Sequence, residues 1–142
     1  MEKYIRKVNY YETDKMGITH HSNYIRWMEE ARLDYLDQVG MGYRKLEEDG
    51  VISAVAGIEC EYKKATTFGD TIEIIVEVEE YTGAKLILRY IMLDAKDQKV
   101  VFRGKSTHCF LNKSGRPVIL RNSFPEFDTK LKEIAMGEQN KQ

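Results

Sequence analysis

Two prolines and two cysteines stand among 142 residues, no sign of charge prevails, and no apolar run is long. Each shortage excludes something. With 22 Lys+Arg against 23 Asp+Glu the net charge is −1, so no broad cationic field exists to hold nucleic acid or an acidic membrane surface nonspecifically. A polyanionic ligand would need a local cluster of cations. No apolar stretch approaches the ~18 residues of a membrane span, and Met1 to Lys7 lacks the hydrophobic core of a signal peptide. No membrane and no nucleic-acid partner are expected, and the expected location is cytoplasmic. Cys60 and Cys109 lie far apart in segments of alternating polarity, with no C-x-x-C pair to suggest redox exchange or zinc. They read as reduced core residues.

What is present fits one domain. A hydrophobic content of 42% over this length is enough for a real core but not for two catalytic lobes. The expected layout is a single domain over residues 1–136 and a polar tail over 137–142. Lys3 to Tyr11 reads as a first strand, and the Thr, Asp, Gly, His, Ser and Asn content of Glu12 to Asn23 reads as a loop. From Tyr24 the period changes. Tyr24, Trp27, Met28, Ala31, Tyr35 and Val39 recur at helical spacing up to Gly40, a natural C-terminal stop, and Asn23 or Ser22 can cap the start. Ile25, Leu33 and Leu36 widen the apolar face, as expected of a helix covered on more than one side.

A short helix over Tyr43 to Asp49 is expected to end at Gly50. Four strands then begin near Val51, Thr71, Lys85 and Lys99. Ile72, Ile74, Val76 and Val78 alternate with Glu73, Glu77 and Glu79, the period of a strand with one buried face. Short turn-rich links at Phe68-Gly69-Asp70, Thr82-Gly83 and Ala95-Lys96-Asp97 predict antiparallel pairing of neighbours. Ser123 with Glu126 forms a capping-box pattern before a helix from Pro125 to about Met136. The class is therefore α+β, with an antiparallel β-sheet wrapped around a long central α-helix.

Reactive side chains are densest between Tyr10 and Tyr24, ending at the start of that helix. The first turn of a helix presents unpaired N–H groups and a positive dipole end, so an oxygen gaining negative charge can be stabilised there. Gly17 allows a turn with positive φ, and Asp14 is the nearest carboxylate able to act as base or nucleophile. D-x-x-G is also a common turn and a His pair is often merely solvated, so composition alone leaves the role open.

The pattern Tyr10-x-x-x-Asp14-x-x-Gly17-x-x-x-His21-x-x-Tyr24-x-x-Trp27-x-Glu29-x-Ala31-Arg32 resembles the signature of the hotdog-fold 4-hydroxybenzoyl-CoA thioesterase family, in particular its bacterial short- and medium-chain acyl-CoA thioesterase, or YbgC-like, branch. Phe68-Gly69-Asp70 resembles a turn of the same family. The resemblance implies a hotdog fold, pairing of two protomers' sheets into one continuous sheet, and hydrolysis of acyl-CoA to free acid and CoA. Open sheet edges lead to the expectation of a homodimer or homotetramer, and the lack of a credible ligand set together with the thioester's own reactivity to that of no cofactor. It implies that Asp14 is the catalytic carboxylate and that the backbone N–H at His21 polarises the thioester carbonyl. Tyr10 and the His21 side chain match positions characteristic of the branch. A non-catalytic acyl-CoA-binding module and an acyl-ACP thioesterase are the alternatives.

Other residues carry weaker signals. A second hotdog group places its catalytic carboxylate on the central helix, where Glu29 or Glu30 falls, but the helical wheel makes a solvated carboxylate the simpler reading. His108 and Cys109 are strand neighbours pointing to opposite faces, so no metal is expected there. Lys63, Lys64, Lys113, Arg116 and Arg121 are candidate contacts for the CoA phosphates, and Tyr11, Trp27, Tyr35 and Phe102 for the acyl group.

Overall fold

A computed structural model describes residues 2–139. Four residues, Tyr4–Lys7, form β1, shorter than the expected run to Tyr11 because Tyr10–Glu12 coils into a 3₁₀ turn. The long helix α1 spans Ser22–Gln38 and the short α2 spans Tyr43–Asp49. Four strands follow: β2 Ile52–Tyr62, β3 Thr71–Tyr81, β4 Lys85–Asp94 and β5 Val100–Leu111. One turn of helix, α3 (Leu120–Ser123), precedes α4 (Pro125–Gln139). The last helix thus continues past Met136, while positions 140–142 of the expected tail lie outside the described residues.

The five strands form one sheet in the order β1-β3-β4-β5-β2. β1 pairs antiparallel with β3, placing Tyr4 opposite Ile74 and Arg6 opposite Ile72. The links after β3 and β4 join sheet neighbours as expected, but β2 lies against β5 and not against β3. The segment between β2 and β3 is therefore a crossover, and its Gly69 amide donates to Val8 O just beyond β1 (3.1 Å). No described helix is long and apolar enough to cross a membrane.

The described residues form two compact units. The first comprises residues 2–35, Cys60–Val76 and Tyr90–Gly104. Its buried apolar side chains include Trp27, Met28, Ala31, Ile72, Ile74, Tyr90, Met92 and Phe102. Burial of this kind contributes about 1.5–3 kcal/mol per large side chain. The helical stripe from Tyr24 to Tyr35 is buried as its spacing predicts, but Ile25 and Leu33 are 41% and 39% exposed, so the covered face is narrower than expected.

The second unit comprises Leu36–Glu59, Glu77–Arg89 and residues 105–139, and buries Leu36, Met41, Leu46, Leu86, Leu88, Phe110, Phe127 and Leu131. Helices α1 and α2 both end in paired reverse hydrogen bonds: Gly40 N to Asp37 O and Met41 N to Leu36 O, then Gly50 N to Glu47 O and Val51 N to Leu46 O. The glycines take φ of +80° and +78°, a conformation a side chain would strain. Tyr81 OH donates to Asp128 Oδ1 (2.6 Å), tying α4 to β3. Ser123 closes α3 and does not cap α4, whose first residue Pro125 follows Phe124. Cys60 and Cys109 are free and half-buried, outside the core expected for them.

Candidate active site

The segment between β1 and α1 is built almost wholly from local hydrogen bonds. After the 3₁₀ turn, Thr13 and Thr19 form an antiparallel bridge, and Asp14 N donates to Ile18 O (2.9 Å). The turn Asp14 to Gly17 closes with Gly17 N to Asp14 O (2.9 Å), and Gly17 takes φ +80° with open space around it. Asp14 Oδ1 accepts the Met16 N–H (2.8 Å), which fixes the carboxylate over its own turn. Asp14 is half-buried, and its Oδ2 has no partner among the described residues.

Two further ties fasten this turn to the β2–β3 crossover. Ile18 bridges Thr67, and Thr19 N donates to Thr66 O (2.8 Å). Behind them lies a buried set of hydroxyls: Thr19 Oγ1 to Thr66 Oγ1 at 2.5 Å and Tyr24 OH to Thr66 Oγ1 at 3.0 Å. Burial raises the Tyr24 phenol above its ordinary value, so it stays a neutral hydrogen-bonding group.

Helix α1 starts one turn beyond. His20 N donates to Glu12 O (2.8 Å), and His20 Nδ1 lies 3.2 Å from the Ser22 N–H and 2.8 Å from Ser22 Oγ. Neither expected cap holds: Ser22 is already helical, and the Asn23 amide donates backward to Glu12 O (2.9 Å) and His20 O (3.3 Å). The backbone N–H of His21 has no acceptor among the described residues. Its carbonyl accepts the Tyr62 hydroxyl (3.2 Å), and its ring stacks on His20 at 4.3 Å between centroids.

Beneath the turn lies a charged cluster that the sequence pattern does not reveal. Glu12, only 3% exposed, accepts from both Arg6 Nη atoms (2.9 and 2.8 Å), from Trp27 Nε1 (2.9 Å) and from Asn9 N (2.8 Å). Burial works to raise its carboxyl, but these donors outweigh it and hold it below the ordinary range. Arg6 is gripped on its other side by Glu30 (Nε to Oε1, 2.8 Å), which also accepts Tyr4 OH (2.9 Å). The Arg6 guanidinium lies 5.6 Å from the centroid of the Trp27 ring.

Over residues 8–134 the sequence matches the thioesterase-like superfamily. The chain belongs to that superfamily. A putative acyl-CoA thioesterase of Bacillus subtilis, YneP, is 33% identical over 87% of this chain and 89% of its own length. A putative esterase of Aquifex aeolicus is 36% identical over 81% of this chain and 88% of its own. The crystal structure of a DHNA-CoA thioesterase from Staphylococcus aureus superposes with a TM-score of 0.93 at 26% identity, covering 99% of this chain and 95% of that one. The hotdog α+β class is thereby established, and the protein is a thioester hydrolase.

Not every residue singled out in the sequence of this thioesterase joins the site. Tyr10 is 76% exposed and packs edge-on against Phe68 at 5.8 Å. Among the described residues, neither its hydroxyl nor the His21 ring is hydrogen-bonded to Asp14. Glu29 is exposed, whereas its neighbour Glu30 is committed to Arg6. Lys63 pairs with Glu61 and Lys64 with Asp97 (3.0 Å), while Lys113 lies over Gly50 and Arg116 and Arg121 are exposed. Tyr11 is 80% exposed, but Trp27, Tyr35 and Phe102 are core residues. His108 is buried and Cys109 half-buried, as strand alternation predicts. Among the described residues no cluster of His, Cys, Asp or Glu is fit to hold a metal ion.

Proposed function

We propose that this thioester hydrolase cleaves acyl-CoA to a carboxylic acid and CoA, with Asp14 as base or nucleophile and the His21 backbone N–H polarising the thioester carbonyl. One observation carries the reading: the acceptor-free His21 N–H at the head of a 17-residue helix shares a loop with a carboxylate whose Oδ2 is unengaged. A helix end of this length adds the favourable potential of its dipole to that N–H. A thioester carbonyl is weakly stabilised by resonance and thiolate leaves readily, so one carboxylate and one or two donors suffice. A general base supplies about 10²–10⁴ in rate and an oxyanion donor about 10²–10³.

Two routes balance. With Asp14 as base, water loses a proton to the carboxylate as its oxygen bonds the carbonyl carbon, the C–S bond breaks, and the thiolate recovers the proton. With Asp14 as nucleophile, Oδ2 displaces thiolate to give a mixed anhydride that water then opens. Neither needs a metal. The unit is proposed to act as a homodimer or homotetramer, because β1 and β2 are the sheet's edges and β2 exposes Ile52 and Val55.

Asp14→Asn tests the reading. It retains Oδ1 for the Met16 N–H, so the turn and CoA-ester binding should survive while kcat falls by about 10²–10⁴. Undiminished thiol release from a folded Asp14→Asn enzyme would remove Asp14 from the chemistry.

A further inference from the structure

The Glu12 cluster does more than fill space. From a single residue, the side chain reaches back to β1 through Arg6 and forward to α1 through Trp27 Nε1 (2.9 Å), while the main-chain carbonyl takes the His20 N–H (2.8 Å) and the Asn23 amide (2.9 Å). Those last two contacts bracket His21. A single residue, Thr13, separates Glu12 from Asp14, and it is itself locked by its N–H and hydroxyl to Tyr10 O (3.1 and 2.7 Å). One residue therefore sits at the junction of the segment carrying the carboxylate and the segment carrying the carbonyl-polarising donor.

We infer that Glu12 is a positioning residue that registers the Asp14 carboxylate against the N-terminus of α1. The inference rests on the role given to Asp14 above. A core glutamate held only for stability would be a poor choice, since a buried ion pair barely outperforms apolar residues of the same volume. What the pair provides is direction: the two-pronged Arg6 fork and the Trp27 N–H fix both carboxylate oxygens, leaving the 3₁₀ turn one orientation relative to α1. Glu30 fixes the fork itself through Arg6 Nε. A displacement of about 1 Å between reacting groups costs on the order of 10²-fold in rate.

Glu12→Gln keeps the shape and an oxygen for Trp27 or Asn9 but loses the paired charge. In thiol-release kinetics well below the melting temperature, kcat should fall about 10- to 100-fold with KM changed less than about threefold. The deciding comparison is Glu12→Gln in an Asp14→Asn background, where it should cost less than about threefold more, because the group it positions is gone. Equal losses in both backgrounds would reduce Glu12 to a structural part and overturn the inference. Wild-type kcat in Glu12→Gln alongside a crippled Asp14→Asn overturns the positioning role while leaving the catalytic assignment standing. Wild-type kcat in Asp14→Asn overturns both. If Glu12→Gln does not melt cooperatively, Arg6→Lys, which keeps the charge and loses the fork, is read by the same cycle.

Discussion

Replacing His21 with proline removes one hydrogen that the proposed chemistry needs and the fold does not. The His21 N–H has no acceptor among the described residues, and it lies just before Ser22, the first residue of α1, so proline at 21 removes no hydrogen bond of the fold. The fold should therefore lose less than about 1 kcal/mol, a few degrees of Tm. His21→Ala is the reference, since it removes the ring stacked on His20 but keeps the N–H. The ratio of kcat between the two variants isolates the donor. Loss of one oxyanion donor costs about 10²–10³ in kcat, or 2.7–4 kcal/mol of transition-state stabilisation. Thiol release from a saturating CoA thioester, with a thermal melt on each variant, measures it. A folded His21→Pro enzyme whose kcat lies within about threefold of His21→Ala would refute the donor assignment.

Glu29→Gln should leave most of the activity, because that side chain is exposed and outside the loop that holds Asp14; its loss of turnover with Asp14→Asn intact would move the chemistry onto α1. Activity should survive EDTA, and a loss that zinc or magnesium restores would contradict a metal-free route. Glu12 is held below its ordinary carboxyl value of 4.5 in the folded state. A depressed folded value means that its stabilisation is fully present above the unfolded pKa and is lost as pH falls through the folded one. Tm should accordingly drop below about pH 4.5, and the drop should be shallower in Glu12→Gln. Identical acid limbs in the two proteins would show that Glu12 does not carry it.

The sequence was most legible where one period persists. Ile72 to Val78 alternates over a whole strand, and Tyr24 to Tyr35 keeps one helical stripe, so the burial of both could be read directly. Gly40 and Gly50 marked the ends of α1 and α2 because few other residues accept their positive φ. Lys3 to Tyr11 reads as strand throughout because its tyrosines favour strands, whereas the 3₁₀ turn there is closed by bonds to Asn9 O and Tyr10 O and by the Glu12 carboxylate on Asn9 N. Glu12 looked like any polar loop residue. Its burial is set by Arg6 and by Trp27, 15 positions away, contacts with no local signature. The pairing of β2 with β5 was hidden for the same reason: a short Gly-Asp link looks alike in a hairpin and in a crossover.

The central claim meets its most direct test in thiol release by the purified full chain across a panel of straight-chain and aryl CoA thioesters, with the acid product quantified in parallel. The account predicts stoichiometric release of CoA thiol and free acid from at least one of them. Saturable binding of these esters with no thiol released from any would contradict it and leave a hotdog protein that holds acyl-CoA without cleaving it.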